Sequence, residues 1–343
     1  MFSVIFPGQG SQVIGMGKEF FEKYSLVKNL FKQADEALGI PLSKIILEGP
    51  KEELDQTVNT QPAIFLVSYS IFQVMNKEFN IDFNQAKYFA GHSLGEYSAL
   101  SSANYLDFTE TIKLLKIRGQ AMQNAVPKGQ GGMLAVLGST VEIIETILKE
   151  NDNNFVAEIA NDNSDGQVVL SGNNNDLVKL IEVLKSKSIK NIKLPVSAPF
   201  HCKLMKKATE IMKNEIEKKN FLDSKNILIS NVTAKEILNK EELKKLLIDQ
   251  IENRVRWRES VINMISKGVN HFIEIGPGKV LSGLIKRIDK NVKINTINNF
   301  FNSALFKISF AVTFEINIFL ESRKFFFSIS FFIISVAFFI SLQ

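Results

Sequence analysis

The chain has 343 residues, which is enough for one large domain or two ordinary ones. Hydrophobic residues make up 45% of it and charged residues 22%, so the composition indicates neither a disordered protein nor one wholly embedded in a membrane. The net charge of +5 comes without any block of like charge, which argues against a nucleic-acid-binding protein. An acidic protein partner or a phosphorylated ligand remains compatible with that sign.

A single cysteine, Cys202, excludes an intramolecular disulfide and a cysteine-based zinc site. It suits a reducing compartment. The N-terminal stretch "MFSVIFPGQG" lacks a basic segment followed by a long apolar run, so it does not resemble a secretory signal. We therefore expect a cytoplasmic protein that holds no metal.

Strands and helices alternate in the first part of the chain. "FSVIF" predicts a short strand that ends at "PGQGSQ", and residues 17–38 predict a helix. Residues 60–77 are apolar nearly all round and predict a buried helix. "AKYFAGHS" predicts a second strand, after which helical spacing resumes at Glu96 with weak points at Asn104 and Gly119. This alternation is typical of an α/β domain.

The order of predicted elements changes after Pro127. "PKGQGG" predicts a linker, and residues 128–196 then give strand, helix, strand, strand, helix, strand, which is the ferredoxin-like order. We expect this small unit to be inserted into a larger one formed by residues 1–127 and 197–299. There the α/β pattern resumes with a strand at "NILISNVTA", a helix at "KEELKKLLIDQIEN", and a strand, glycine turn and helix at "VNHFIEIGPGKVLSGLIKRI".

Residues 300–343 form a tail of different composition. The tail is rich in Phe, and its residues 325–342 carry no charge and follow Arg323 and Lys324. An apolar run of about 18 residues is close to the minimum that spans a bilayer. One interpretation is a C-terminal membrane anchor; the other, which we favour, is a segment foreign to the fold, such as a translation out of the natural reading frame of AT-rich sequence.

The stretch "GHSLG", residues 91–95, satisfies the pattern G-x-S-x-G, in which a strained turn between strand and helix exposes a serine hydroxyl. The pattern is weak by itself, but here an apolar strand precedes it and a helix follows. At the head of that helix, Ser93 would feel the positive end of the helix dipole, and the N–H of Leu94 would be free to bond a developing oxyanion.

A serine nucleophile needs a base, and the chain has only three histidines. His92 adjoins Ser93, and neighbouring residues in a tight turn usually point apart. His271 precedes a predicted strand, where we expect a surface or structural role. His201 lies at a loop end that opens a helix, where catalytic groups are common. Elimination therefore favours His201.

Five motifs in register carry a resemblance to a known family. They are "FPGQGSQ", "GHSLGEYSAL", "IRGQAMQ", "SAPFHCKLM" and "IEIGPGKVLSGL". In this order they resemble the malonyl-CoA:acyl carrier protein transacylases over about residues 2–299. The resemblance implies an α/β-hydrolase-like core with an inserted ferredoxin-like subdomain. It also implies a monomeric acyltransferase of fatty acid synthesis whose substrates are malonyl-CoA and phosphopantetheinylated acyl carrier protein, without a metal or bound cofactor.

The resemblance assigns roles to the matching residues. Ser93 becomes the nucleophile that carries the acyl group, and His201 the base. The backbone N–H groups of Gln9 and Leu94 form the oxyanion hole. Arg118 pairs with the free carboxylate of malonate, a task that suits the planar fork of a guanidinium.

Further roles follow from the same resemblance. The backbone carbonyl of Gln250 orients the histidine, as aspartate does in a hydrolase triad. A carboxylate partner stays open at that point, and Glu96 and Glu274 are the candidates, although we expect both to be structural.

Three residues are expected at the edge of the site. By resemblance, Phe200 favours malonyl over methylmalonyl by crowding out an α-methyl group. Asn161 and Asn163 resemble pantetheine contacts, with simple turn formation as the alternative. Cys202, beside the histidine, we expect to be a small packed residue.

Partners and rival functions complete the expectations. An acidic carrier protein would fit a docking surface that includes Lys113, Lys116, Arg256 and Arg258, whose alternative is a solvated helix face. The alternative functions are a malonyl-loading acyltransferase of polyketide synthesis, a serine esterase with the same turn, and a catalytically idle scaffold attached to a membrane by the tail. We expect membrane contact only if the tail is genuine.

Overall fold

The computed structural model describes residues 1–196 and 198–307. Residues 1–300 belong to one unit and residues 301–343 to another. The predictions that fall on Ser197 and on residues 308–343, the candidate membrane segment among them, lie outside the described residues. Within the described part, no helix has the length and apolar character needed to cross a membrane.

The strands and helices of the described residues follow in chain order. The strands are β1 Phe2–Phe6, β2 Tyr88–Gly91, β3 Gly131–Leu137, β4 Ala157–Ser164, β5 Gln167–Asn173, β6 Lys190–Lys193, β7 His271–Ile275 and β8 Lys293–Ile297. The helices are α1 Lys18–Lys23, α2 Ser25–Leu38, α3 Leu42–Glu48, α4 Lys51–Leu54, α5 Thr57–Lys77, α6 Leu94–Ser102, α7 Phe108–Asn124, α8 Val141–Glu150, α9 Asn174–Ser186, α10 Lys206–Glu217, α11 Lys240–Asp249, α12 Trp257–Ser266 and α13 Val280–Ile288.

A four-stranded sheet of order β2-β1-β7-β8 lies at the centre of the larger part. All of its strands pair in parallel. Strands β1, β2 and β7 are buried nearly from end to end, as expected where helices cover both faces of a parallel sheet, whereas the edge strand β8 is only partly buried. Because β1 and β2 are neighbours, the loop after β1 and the turn after β2 meet at the same edge of the sheet.

A second four-stranded sheet, antiparallel and of order β4-β5-β3-β6, is formed by residues 131–193. Its chain order is strand, helix, strand, strand, helix, strand, which confirms the predicted order of elements. One face packs against α8 and α9 in a hydrophobic cluster of its own. The described residues therefore form an α/β fold with two sheets.

β4 is hydrogen-bonded to the segment that precedes α12. Asn161 forms an isolated parallel bridge with Val255, in which the N–H of Asp162 donates to the carbonyl of Val255 at 3.0 Å. The N–H of Val255 in turn donates to the carbonyl of Ala160 at 2.8 Å. These bonds fix the small sheet against the segment that leads into α12.

Several predicted elements differ from the observed ones. The helix expected over 17–38 is two helices, because Tyr24 adopts an extended conformation between α1 and α2. Asn104 does interrupt the later helix, but Gly119 lies inside α7 and does not break it. The strand predicted at "NILISNVTA" is reduced to isolated bridges, of which the one at Leu228 lies beside β2.

Candidate active site

Ser93 occupies a strained turn between β2 and α6. Its backbone angles are φ 55° and ψ −111°, outside the regions that side chains other than glycine ordinarily adopt. A Cβ on Gly91 would lie 2.0 Å from the carbonyl carbon of Gly95, and one on Gly95 would lie 2.3 Å from the oxygen of Phe6. Only glycine fits at both positions, so the two glycines of the motif let the turn press against β1 and lift the hydroxyl.

His201 lies next to the serine. Its Nε2 is 2.8 Å from Ser93 Oγ, and its Nδ1 is 2.8 Å from the carbonyl oxygen of Gln250. A carbonyl can only accept, so Nδ1 carries the proton and Nε2 is left to accept the serine O–H. Burial, followed by the nearby charge of Arg118, lowers the pKa of His201 to about 3. The imidazole is therefore neutral near pH 7 and ready to take a proton.

The loop after β1 brings Gln9 to the same place. Gln9 and Leu94 both line the cavity that contains Ser93 and His201. Leu94 is the first residue of α6, so its N–H has no partner within the helix. A Cβ on Gly8 would lie 2.5 Å from the His92 oxygen, which shows how closely this loop approaches the serine turn.

Arg118 reaches the site from α7 and is only 1% exposed. Its Nη1 donates to Gln61 Oε1 at 2.7 Å, and its Nη2 donates to Gln250 Oε1 at 2.7 Å and to Ser93 Oγ at 3.1 Å. The guanidinium also lies over the ring of Tyr97, 5.3 Å from its centroid. The site therefore holds a buried, oriented cation within hydrogen-bonding distance of the nucleophile.

A cavity of about 490 Å³ opens above these residues. Phe200, Met122 and Met133 contribute apolar walls, and Asn161 contributes an amide. A neighbouring cavity of about 750 Å³ shares lining residues with the first one, including Gln9. Together they give room for a small acyl group at the serine and for a longer polar chain leading outward.

Known proteins share this chain's sequence and fold. The family model described as acyl transferase domain matches residues 3–298. The malonyl CoA-acyl carrier protein transacylase of Bacillus subtilis (strain 168) is 42% identical over 299 residues, which is 86% of this chain and 92% of that protein. The chain belongs to the malonyl CoA-acyl carrier protein transacylase family.

Solved structures of the family agree with this membership. The malonyl CoA-acyl carrier protein transacylase of Clostridium perfringens superposes with a TM-score of 0.86 at 37% identity, covering 94% of this chain and 99% of that one. Another structure contains a type II PKS acyl-carrier protein in complex with its malonyl-transacylase. It superposes with a TM-score of 0.84 at 36% identity, covering 88% of this chain and 97% of that one.

The residues that the family resemblance singled out are not all equally close to the serine. Ser93, His201, Gln9, Leu94, Arg118, Phe200 and Asn161 line one cavity. Gln250 lies behind it, bonded to His201 and Arg118. The Oδ1 of Asn163 is instead 2.8 Å from His92 Nε2. Asn161 and Asn163 both lie within β4, so the turn-forming alternative is wrong for them.

The remaining candidates have structural surroundings. His271 Nε2 lies 2.7 Å from Asn295 Oδ1 on the neighbouring strand. The carboxylate of Glu274 accepts from the N–H groups of Leu281 and Ser282 at the start of α13. The thiol of Cys202 donates to the Pro199 carbonyl at 3.1 Å, and burial raises its pKa to about 12. This thiol is therefore no nucleophile near neutral pH.

Two expected docking cations are neutralised within the chain. Arg258 Nε donates to both carboxylate oxygens of Asp162, at 2.9 and 3.1 Å, and Arg256 pairs with Glu259 at 2.9 Å. The part that Arg256 and Arg258 would take in a docking surface stays a prediction.

The sequence alone did not reveal Gln61 and Asn231. Gln61 follows two other polar residues of α5, Asn59 and Thr60, so its residue type gives no special signal. Asn231 accepts from the N–H of Ser93 at 2.7 Å and donates to the Gly91 carbonyl at 2.7 Å, so its side chain holds both ends of the serine turn. No local pattern marks Asn231.

Proposed function

We propose that this chain is a malonyl-CoA:acyl carrier protein S-malonyltransferase that works through a malonyl-serine intermediate. The observation that carries the proposal is the position of Arg118, whose Nη2 lies 3.1 Å from Ser93 Oγ in a buried site. When the thioester carbonyl of an acyl group lies beside Ser93 Oγ, a carboxylate at the other end of that acyl group would lie within reach of the Arg118 guanidinium.

The first half-reaction acylates the enzyme. Ser93 Oγ attacks the thioester carbonyl of malonyl-CoA while its proton moves to His201 Nε2. The N–H groups of Gln9 and Leu94 would donate to the oxyanion. The intermediate collapses by breaking the C–S bond, and the CoA sulfur leaves with the proton from His201.

The second half-reaction reverses the first with another thiol. The phosphopantetheine thiol of the carrier protein gives its proton to His201 and attacks the ester carbonyl. The bond to Ser93 Oγ breaks, and the serine recovers its proton. No metal or bound cofactor is required, because the serine and the incoming thiol supply both nucleophiles.

The malonyl carboxylate would also tune the base. The charge of Arg118 contributes to the low pKa of His201, after the larger effect of burial. A bound carboxylate offsets that charge and makes Nε2 more basic. Binding of an acidic acyl group would thereby favour proton removal from Ser93.

The alternative functions differ in whether they would use the buried Arg118 cation. A serine esterase gains nothing from an arginine in its acyl pocket, so Arg118 argues against it. Malonyl loading for polyketide synthesis uses the same chemistry, and one relative is a malonyl-transacylase in complex with a type II PKS acyl-carrier protein. We favour fatty acid synthesis, since curated relatives at 38–42% identity carry the transacylase name without a polyketide carrier protein.

We also propose a more specific architecture than an α/β fold. We assign an α/β-hydrolase-like core to residues 1–127 and 197–299 and a ferredoxin-like subdomain to residues 128–196. The strand order β4-β5-β3-β6 with two helices on one face supports the second assignment. A monomeric state and a cytoplasmic location belong to the same proposal, the latter supported by the single cysteine, Cys202.

The test is formation of the acyl-enzyme. Mixed with malonyl-CoA, the wild-type chain should gain the mass of one malonyl group, and Ser93→Ala should gain none, because the attacking oxygen is gone. Intact mass spectrometry measures both. Ser98→Ala is the matched control, since this serine lies on the same helix and is fully buried. A malonyl adduct on Ser93→Ala would refute the assignment of the nucleophile.

A further inference from the structure

Glu96 is a buried carboxylate one turn beyond the nucleophile on α6, and the proposed mechanism leaves it without a task. Its side chain is 1% exposed. Oε2 accepts from Gln250 Nε2 at 2.6 Å and from the N–H of Asn231 at 3.3 Å. Oε1 has no hydrogen-bond partner among the described residues. A charge buried this deeply is costly unless another charge compensates it.

The Gln250 side chain connects Glu96 to Arg118. Gln250 Oε1 accepts from Arg118 Nη2 at 2.7 Å, while Gln250 Nε2 donates to Glu96 Oε2 at 2.6 Å. One amide thus stands between the guanidinium and the carboxylate and aligns its dipole with both. The backbone carbonyl of the same residue holds His201. Glu96, Arg118 and His201 are therefore all hydrogen-bonded to Gln250.

We propose that Glu96 is a specificity-determining residue: its carboxylate is the counter-charge of Arg118, and its ionisation sets how strongly the cavity attracts an acyl group that carries a negative charge. The inference rests on the proposed function. When Glu96 is ionised, its negative charge partly compensates the positive charge of Arg118. An incoming carboxylate is then also repelled by the Glu96 carboxylate, which lies behind the Gln250 amide. With Glu96 protonated, the cavity holds an uncompensated cation.

The charge of Glu96 changes in an accessible pH range. Burial raises its pKa to about 7, against the lowering effects of the Gln250 and Asn231 hydrogen bonds and of Arg118. A pKa raised in this way means a neutral acid below that pH and a carboxylate above it. Attraction for a malonyl group should therefore be strongest at pH 6 and weaker at pH 8.

The other titratable groups around Glu96 keep their charge across that range. Tyr97, on the same helix, has a pKa raised to about 12 by burial. Burial lowers the pKa of His201 to about 3, so its imidazole stays neutral, and burial lowers the pKa of His92 as well. The Arg118 guanidinium on α7 remains protonated. A pH-dependent preference between pH 6 and 8 would therefore report on Glu96.

The experiment compares acylation by malonyl-CoA and acetyl-CoA in single turnovers, quenched and read by intact mass, from pH 6 to pH 8. The ratio of the two rates removes effects of the shared CoA moiety and of the fraction of active enzyme. In the wild type, the malonyl-to-acetyl ratio should fall about fivefold as the pH rises. In Glu96→Gln, which keeps an acceptor for Gln250, the ratio should stay at the wild-type pH 6 value throughout.

Two further variants distinguish the effect of the Glu96 charge from effects of side-chain packing. Glu96→Asp keeps a carboxylate and should keep a pH-dependent ratio. Glu274→Gln removes another buried carboxylate whose pKa is raised by burial, far from Arg118 in the hydrogen-bond network, and should follow the wild type. A flat wild-type ratio, or a Glu96→Gln ratio that still falls with pH, would overturn the inference. Absence of any malonyl adduct on the wild type would instead refute the proposed function and this inference with it.

Discussion

Arg118 combines a full charge with nearly complete burial. Three oxygens accept from its Nη atoms, those of Gln61, Gln250 and Ser93. Its Nε has no hydrogen-bond partner among the described residues. An N–H this deeply buried is costly to leave without a partner, and a bound carboxylate would supply one. Such a guanidinium would suit the anionic substrate group that the proposed function assigns to it.

Substitution of Arg118 should remove the preference for an acidic acyl group. In Arg118→Ala the malonyl-to-acetyl ratio of acylation rates should fall about a hundredfold, the effect of losing a buried, charge-assisted pair of hydrogen bonds. Arg118→Lys should recover only part of the loss, because an ammonium keeps the charge without the planar fork. Competition between malonyl-CoA and acetyl-CoA, followed by intact mass, measures the ratio.

The control for this prediction is Arg287→Ala, an exposed arginine in the last turn of α13. It should leave the ratio at the wild-type value. An unchanged ratio in Arg118→Ala would show that another group binds the carboxylate.

The sequence pointed to the reacting residues of this site better than to the residues that support them. Ser93 could be found because its glycines lie two positions on either side, a spacing that the strained turn imposes on the chain itself. The Gln250 side chain joins residues that are 132 and 154 positions away, and no local pattern encodes such contacts. The role of its backbone carbonyl could be expected only from the family resemblance.

At the level of elements, β4 and α12 share a buried ion pair. Asp162 has a fully buried side chain, whereas that of Arg258 is 17% exposed. Asp162 lies between Asn161, which lines the cavity, and Asn163, which contacts His92. The pair thus holds the strand that brings the small sheet to the active site.

Breaking this pair should cost both stability and substrate binding. Arg258→Met leaves the Asp162 carboxylate buried without its cation, which should lower the free energy of unfolding by about 3 kcal/mol. The KM for malonyl-CoA should rise, because β4 loses its fixed position, while kcat changes less. Urea unfolding and steady-state kinetics measure the two effects.

Arg256→Met provides the matched comparison for this prediction. Arg256 pairs with Glu259, and both side chains are about one-third exposed, at 33% and 35%. Such a pair contributes less than about 1 kcal/mol. Equal losses in the two variants would contradict the special role of the buried pair.

Residues that usually break helices were the least reliable guide to where the helices are interrupted. Gly119 was expected as a weak point, yet it lies in α7 where that helix crosses α5. A Cβ there would lie 2.6 Å from the Thr57 oxygen, so the glycine serves close helix packing. Helix propensity considers one helix in isolation. Contacts with neighbouring helices decide whether a glycine interrupts its helix or allows another helix to pack closely. Most strands of the two sheets were better predicted, since their apolar runs are bounded by turn residues, but β8 was not predicted.

For the whole molecule, the cavity draws its walls from both sheets. Ser93 and Gln9 come from the parallel sheet, while Met133 and Asn161 come from the antiparallel one. Under the proposed function, we expect acyl selection to depend on how the small sheet is held. All of these residues belong to the unit formed by residues 1–300.

The end of that unit defines the last prediction. The family match ends at residue 298. Phe300 still contacts the unit, because its N–H donates to Glu19 Oε2 at 2.9 Å and the Lys23 ammonium lies over its ring. A chain ending at Phe300 should therefore transfer malonyl at the wild-type rate, with a Tm within about 2 °C of the full chain, which corresponds to roughly 1 kcal/mol at this size.

A chain ending at Asn291 sharpens the test, because it also lacks β8. That strand pairs with β7 along its whole length and forms one edge of the parallel sheet. Its loss exposes the backbone of β7 and the hydrophobic cluster beneath it, so this shorter chain should lose its cooperative unfolding transition. Calorimetry and the malonyl transfer assay on the three chains distinguish the cases. Inactivity of the chain ending at Phe300 would show that residues after 300 are needed for the transfer.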